Sequence, residues 1–101
     1  MVIPSKQYKE YEEIALWQLP RVYYHIPVNV KCVYYMNAKR RVDLTNLLEA
    51  TDDILVKGGV LADDNCTILV SHDGSCVKYD KENPRVEIEI TEREDYIPWQ
   101  V

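Results

Sequence analysis

Apolar side chains recur along the chain at two different spacings, and these spacings distinguish strands from helices. In VNVKCVYYM, residues 28–36, every second residue is apolar, which is the period of a strand. Residues 85–92, RVEIEITE, alternate in the same way, and residues 66–72, CTILVSH, form a β-branched run that also favours a strand. The pattern therefore predicts three strands.

Two other stretches have the period of a helix. Residues 5–18 carry apolar positions at helical spacing behind Ser5, a suitable N-cap, and Pro20 follows them. A second helical pattern runs from residue 44 to residue 57, where Lys57-Gly58-Gly59 is a typical helix end. Six residues of this pattern share one stripe and are expected to face the core: Leu44, Leu47, Leu48, Thr51, Ile54 and Leu55.

The order helix, strand, helix, strand, strand predicts the α+β class, with two helices packed on one face of a small mixed sheet. Between the last two strands, residues 72–75 have the composition of a turn and residues 78–84 that of a polar loop. A chain of 101 residues is typical of one domain. We expect residues 1–101 to form that domain, with residues 92–101 as a flexible tail.

The composition of the chain is that of a globular protein without a transmembrane segment. Apolar residues make up 47% of the chain and charged residues 29%, which is globular composition. The longest apolar runs fall far short of the roughly 20 residues that cross a bilayer, and the N-terminus lacks a signal-peptide pattern, so we expect a cytoplasmic protein. The three cysteines have no CxxC spacing, which argues against a disulfide framework or a zinc site, and we expect buried thiols.

The formal net charge of −5 argues against a general nucleic-acid coat protein, whose affinity comes from many contacts between cations and phosphates. It is compatible with a metal-dependent nuclease, which needs carboxylates for its cation. One local basic cluster, Lys39, Arg40 and Arg41, lies directly before the second predicted helix. These three side chains are candidates for phosphate contacts; the alternative is an ordinary solvated loop.

Acidic residues lie at both borders of the second predicted helix. Asp43 precedes it, Asp53 and Glu49 lie on its polar side, and Asp63-Asp64 follow the glycines that end it. Carboxylates that converge from two element ends suit a hard cation such as Mg²⁺, which activates water for phosphodiester cleavage. The alternative is structural, because Asp43 is also a good N-cap and acidic pairs are commonly solvated.

Aromatic and histidine residues are weaker candidates for a site. Tyr23-Tyr24 and Tyr34-Tyr35 are able to stack on unpaired bases, but such pairs more often fill a strand face or an interface. His25 and His72 lie in different segments, which favours structural histidines over a catalytic base or a metal ligand.

The stretch RRVDLTNLLEATDDILVKGGVLADDN, residues 40–65, resembles the central motif of the RusA family of Holliday-junction resolvases. That motif has an Asp-x-Asp-Asn-Leu stretch, a helix, a glycine and then Asp-Asp, and the spacing from Asp43 to Asp64 fits it without a gap. The resemblance extends to residues 4–18 as the family's first helix, and to the strands at 27–36 and 84–92. It covers most of the chain.

This resemblance implies a homodimer that cuts four-way DNA junctions with Mg²⁺ or Mn²⁺ in DNA recombination and repair. By the same match, the expected catalytic residues are Asp43, Asp64 and Asp63. The expected metal ligands are Asp43, Asp64, Asp53 and Glu49, and the expected DNA contacts are Lys39, Arg40, Arg41 and Asn46, which matches the asparagine of the motif.

Three departures from the family motif affect these expectations. Thr45 stands where the family often has a second aspartate, and Glu49 stands where it often has a lysine. Either Glu49 or Asp53 is expected to replace the missing carboxylate, and the sequence leaves open which. The chain also begins almost at the family's first helix, so we expect the family's first strand to be missing and a dimer contact to cover the exposed sheet edge.

The sequence therefore favours a structure-selective, metal-dependent endodeoxyribonuclease. Thr45, Glu49 and the acidic net charge motivate an alternative, a degenerate family member that binds branched DNA or dimerises without cutting. A third hypothesis is a small acidic adaptor that binds a protein partner and has no affinity for junction DNA.

Overall fold

The alternating stretches form strands of one sheet in a computed structural model of the chain, which describes residues 1–4 and 19–96. Five strands are found within these residues: β1 (Val2–Pro4), β2 (Val28–Met36), β3 (Leu69–Ser71), β4 (Cys76–Tyr79) and β5 (Arg85–Glu92). The same residues contain one helix, α1 (Leu44–Lys57).

Strand β2 is the centre of the sheet. On one side it pairs antiparallel with β5, from Val28 opposite Glu92 to Tyr35 opposite Arg85, and β5 in turn pairs antiparallel with the edge strand β1. On its other side β2 pairs in parallel with β3 near its start and with β4 near its end. The sheet is therefore mixed, and the predicted α+β class is confirmed.

The core lies between this sheet and α1. Because side chains alternate along a strand, one face of β2 contributes four buried residues, Val28, Val30, Cys32 and Tyr34. The predicted stripe of α1 packs on this face: Thr51, Ile54 and Leu55 are buried, and Leu44, Leu47 and Leu48 are partly buried against the core cluster. Each fully buried aliphatic side chain contributes roughly 1.5–3 kcal/mol to folding.

Helix α1 runs antiparallel to β2. Near its middle, Thr51 forms a hydrogen bond of 2.6 Å with the hydroxyl of Tyr34, which lies near the end of β2. Past its last turn, the amide of Val60 donates to the carbonyl of Leu55, and Leu61 lies beside Tyr24, which precedes β2. The two ends of α1 therefore lie toward opposite ends of β2.

Both ends of α1 lie where the sequence predicts them. The carboxylate of Asp43 caps the first turn by accepting the amide of Thr45 at 3.0 Å. At the other end the amide of Gly58 donates to the carbonyl of Ile54, and Gly59 has a φ of 76°, a conformation that glycine adopts without strain.

Several predicted elements need correction. The run at 66–72 is a strand only at Leu69–Ser71, because Asn65 accepts the amide and the hydroxyl of Thr67 and folds residues 65–68 into a turn. Strand β4 was missed by the sequence analysis, since its four residues lie mostly exposed at the sheet edge and show no apolar alternation. The first strand was expected to be missing, but β1 precedes residues 5–18 and pairs with β5.

Other expectations are tested only in part. The predicted helix at 5–18 and residues 97–101 of the predicted tail lie outside the described residues. Within the predicted tail, the amide of Arg93 donates to the carbonyl of Pro27 at 2.7 Å. Of the three free thiols only Cys32 is buried, while Cys66 is exposed. No helix in the described part of the chain is long and apolar enough to span a membrane.

Candidate active site

The first acidic position, Asp43, lies at the N-terminal end of α1 beside the basic cluster. Its exposed carboxylate accepts the amide of Thr45 at the positive end of the helix dipole. Lys39, Arg40 and Arg41 are exposed, and the ammonium of Lys39 lies 5.1 Å from the centre of the Tyr79 ring on β4. This end of α1 therefore offers one carboxylate and three cations to solvent.

The second acidic position, Asp63-Asp64, lies in the loop after α1. One oxygen of Asp63 accepts the amide of Asp64 at 2.7 Å, and the other accepts the side-chain amide of Asn65 at 3.0 Å. These bonds, the one from the Asp64 amide first, lower the pKa of Asp63. Loss of hydration and then the hydrogen bond with Asp63 raise the pKa of Asp64. The pKa values of two adjacent carboxyl groups are thus shifted in opposite directions.

Backbone hydrogen bonds fix where this acidic loop lies. The amide of Tyr24 donates to the carbonyl of Val60 at 2.7 Å, and the amide of Ala62 donates to the carbonyl of Tyr24 at 2.9 Å. The residue before Asp63 is therefore attached to the segment that leads into β2. Asp43 follows the other end of β2, and α1, a helix of 14 residues and so about 20 Å long, runs between the two positions.

Whether these carboxylates converge on one cation stays a prediction. Across residues 1–4 and 19–96, no group of three or more histidine, cysteine, aspartate or glutamate side chains is arranged to hold a metal ion. Helix α1 lies between Asp43 and Asp63-Asp64 along the chain, and its 14 residues separate its two ends by about 20 Å.

The remaining predicted site residues lie on the solvent side of α1. Thr45, Asn46, Glu49 and Asp53 are all exposed, as the helical spacing predicts. Whether Glu49 or Asp53 replaces the carboxylate missing at Thr45 stays a prediction.

The sequence analysis missed one acidic residue, Asp52. It is buried against the sheet, and one of its oxygens lies 3.0 Å from Nε2 of His72. Asp52 follows Leu48 by four residues and precedes Leu55 by three, and this spacing on the core stripe was the signal that placed it inside. Its partner His72 is a structural histidine, as predicted.

Both ring nitrogens of His72 face acceptors. Nδ1 donates to the carbonyl of Val30 at 2.7 Å, and Nε2 donates to Asp52. Both nitrogens carry a proton only in the imidazolium form, and the hydrogen bond to Asp52 is the main cause that raises the pKa of His72. The pair joins α1, β2 and the end of β3. Among the described residues, the second oxygen of Asp52, Oδ1, is buried without a hydrogen-bond partner.

The tyrosine pairs divide into buried and exposed members. Tyr34 is in the core, and Tyr35 lies under the guanidinium of Arg85 at 3.9 Å, so this pair fills strand positions as expected. Of the other pair, Tyr24 packs partly buried against the core, whereas Tyr23 is 62% exposed and stacks on His25.

Comparison with known proteins gives one match. The family model described as "Endodeoxyribonuclease RusA" matches residues 1–91. A search of curated proteins finds no significant match. The matched residues include β1 and both acidic positions, and nearly all of the described chain.

Proposed function

Because the chain belongs to the RusA family of endodeoxyribonucleases, we propose that it is a structure-selective nuclease that hydrolyses the backbone of four-way DNA junctions in recombination and repair. The observation that carries this proposal is the family match over residues 1–91, which contains the two acidic positions at the expected spacing. The proposed catalytic residues are Asp43, Asp63 and Asp64.

The charges at the N-terminal end of α1 support a DNA substrate. Lys39, Arg40 and Arg41 form an exposed cationic loop in a chain with a net charge of −5. A local cluster of this kind attracts phosphates even when the total charge is negative. These three residues, with Asn46 one turn into α1, are the proposed phosphate contacts.

A homodimer would bring the two acidic positions together in one site. Since α1 holds Asp43 and Asp64 apart within one subunit, we propose that Asp43 of one subunit and Asp64 of the other contribute to the same site. A two-fold axis then generates two equivalent sites, which suits the symmetric cutting of a junction.

The proposed cofactor is Mg²⁺ or Mn²⁺. Mg²⁺ keeps several waters and commonly binds through one or two protein carboxylates together with substrate phosphates, so it does not require the three-residue cluster that the described subunit lacks. Such a cation supplies Lewis-acid and water-activating chemistry. The residues proposed to hold it are Asp43 and Asp64, with Asp53 or Glu49 in place of the carboxylate missing at Thr45.

The test is cleavage of a labelled four-way junction by the purified protein in Mg²⁺, in Mn²⁺ and in EDTA. We expect paired, symmetric nicks in the presence of either metal, and their loss in Asp64→Asn. The matched control is Glu89→Gln, which neutralises an exposed carboxylate of β5 and is expected to leave cleavage unchanged. Equal cleavage by wild type and Asp64→Asn contradicts the assignment.

Mixing two inactive variants tests the shared site. If Asp43→Asn and Asp64→Asn homodimers are each inactive, a heterodimer of the two has one site with both aspartates intact and one with neither. We therefore expect the reassembled mixture to recover single nicks. No recovery from verified heterodimers indicates that each site lies within one subunit.

A second candidate function is binding without cleavage. Two observations favour it: Thr45 and Glu49 replace an aspartate and a lysine of the family motif, and the described residues hold no three-donor cluster. It predicts junction binding with no nicks in any divalent metal.

A further inference from the structure

The segment that precedes β2 presents an aromatic surface to solvent. Tyr24 forms an isolated β-bridge with Leu61, and the side chains of its two neighbours, Tyr23 and His25, lie on the same side of the segment. The rings of Tyr23 and His25 are stacked, with centroids 6.0 Å apart and an angle of 19° between their planes. Tyr24 points the other way and packs against the core cluster.

The aromatic rings of this surface are not needed to close the hydrophobic core. The side chain of Tyr23 is 62% exposed and that of its neighbour Val22 is 43% exposed. Within this segment it is Tyr24 that packs against the core cluster. A large exposed aromatic side chain on an ordered backbone is a common feature of binding sites. The stacked pair therefore has area available for a further ring.

The same segment is fixed to the acidic loop. Tyr24 exchanges two backbone hydrogen bonds with that loop, accepting from Ala62 and donating to Val60. Ala62 is the residue before Asp63. The Tyr23–His25 pair and the Asp63-Asp64 carboxylates thus lie on two segments that are joined by these two backbone hydrogen bonds.

Arg21 adds a cation at the edge of this surface. It lines an open cavity of about 480 Å³ together with Pro20, Val22 and Tyr23 on one side and the glycines Gly58-Gly59 on the other. A stacking surface beside a cation is the combination that single-stranded nucleic acids bind, the ring contacting a base and the cation a phosphate.

We propose that the Tyr23–His25 pair is a base-stacking site that covers the exposed face of a nucleobase at the branch point of junction DNA, with Arg21 contacting an adjacent phosphate. This inference rests on the proposed function. An open junction has base pairs at its centre that lack a stacking neighbour on one side, whereas the interior of a linear duplex has none. The site therefore gives preference for branched over linear DNA.

The experiment measures dissociation constants in EDTA, so that no DNA is cut, for a four-way junction and for a linear duplex with the sequence of two of its arms. Tyr23→Ala is expected to weaken junction binding roughly ten-fold, in the range found for base–aromatic stacking, and to leave duplex binding unchanged. Tyr23→Phe keeps the ring and is expected to bind like wild type. Tyr23→Leu keeps apolar bulk without the ring and is expected to bind like Tyr23→Ala.

Salt dependence separates the two contacts. Stacking releases no counterions, so Tyr23→Ala is expected to keep the slope of log affinity against log salt, while Arg21→Gln is expected to reduce it by about one phosphate contact. In addition, 2-aminopurine at the branch point, whose fluorescence falls when it is stacked, is expected to be quenched by wild type and by Tyr23→Phe but not by Tyr23→Ala.

Other outcomes contradict the inference in distinguishable ways. If wild type does not bind the junction at all, the proposed function itself fails. If wild type prefers the junction and Tyr23→Ala has the same preference, only the stacking site is wrong. If Tyr23→Ala changes the oligomeric state in sedimentation, the exposed ring belongs to a subunit contact and the stacking site is again wrong.

Discussion

Two kinds of carboxylate lie on or beside α1, and they differ in what holds them. Asp52 is buried, and its contact is with a histidine 20 residues further along the chain. Asp43 and Asp63 are exposed, and each accepts hydrogen bonds from residues one or two positions away. The buried carboxylate joins distant elements, whereas the exposed carboxylates are set by their own local backbone.

We propose that this difference separates carboxylates that stabilise the fold from carboxylates that act in cleavage. A carboxylate that is buried and paired is part of the packed core, and removing it lowers the free energy of unfolding. A carboxylate that is exposed and locally held is accessible to a cation or to DNA, and its loss leaves the core intact. The comparison assigns the Asp52–His72 pair to the fold, and Asp43, Asp63 and Asp64 to the proposed chemistry.

The largest effect that this comparison predicts is the loss of stability on removing either partner of the buried pair. His72→Ala leaves the Asp52 carboxylate buried without this partner and is expected to lower the free energy of unfolding by about 3 kcal/mol. Asp52→Ala is expected to lower it by about 2 kcal/mol, because the remaining histidine avoids a buried charge by losing its proton, and because the unpartnered Oδ1 is removed as well.

Urea unfolding of the two single variants and of the double variant measures these effects. The double variant is expected to lose less than the sum of the two single losses, since both residues belong to one interaction. Strict additivity contradicts a direct stabilising contact between Asp52 and His72.

Stability is expected to depend on pH through the same histidine. The hydrogen bond to Asp52 raises the pKa of His72 above its ordinary value of 6.5 in spite of burial, which acts in the opposite direction. Because the folded-state pKa is the higher one, the stabilisation is fully present below pH 6.5 and is lost as the pH rises through the folded-state pKa. The stability lost on deprotonation of His72 is expected to be smaller than the loss in His72→Ala, since the neutral ring keeps part of its contacts.

The measurement is the free energy of unfolding of wild type and of His72→Gln between about pH 5.5 and pH 9. We expect the difference between them to decrease with rising pH. A difference that stays constant, or that grows with pH, contradicts the assignment of the proton to His72.

Sequence patterns predicted the fold better than the site, and the reason lies in the range of the interactions. The helical stripe and the caps fixed both ends of α1, because the contacts of Asp43 and Gly58 are made within a few residues. The parallel strand β4 escaped prediction because its four mostly exposed residues depend on pairing with β2, more than 40 residues away. The Asp52–His72 pair escaped for the same reason.

The relation between the two acidic positions was equally beyond the reach of local patterns. Spacing in the sequence placed Asp43 and Asp64 correctly at the two borders of α1. The position of the loop that carries Asp64 depends on backbone hydrogen bonds between Tyr24 and residues 60–62, and no local pattern predicts a contact between segments so far apart in the sequence. Sequence alone gave the members of the candidate site but not their arrangement.

The smallest predicted effect is at Asp43, which belongs to both sides of the comparison because it caps α1 and is also a proposed catalytic residue. Asparagine is as good an N-cap as aspartate, whereas alanine is not. Asp43→Ala is therefore expected to lower the free energy of unfolding by about 1 kcal/mol, and Asp43→Asn is expected to leave it unchanged.

Cleavage distinguishes the two roles of Asp43. Asparagine keeps the hydrogen bond to the amide of Thr45 but removes the negative charge, so both variants are expected to lose junction cleavage although only Asp43→Ala loses stability. The measurement pairs urea unfolding with the nicking assay on the same preparations. If Asp43→Asn cuts like wild type while Asp43→Ala does not, the carboxylate acts only through the helix cap. Asp43 is then a structural residue like Asp52, and not a catalytic one.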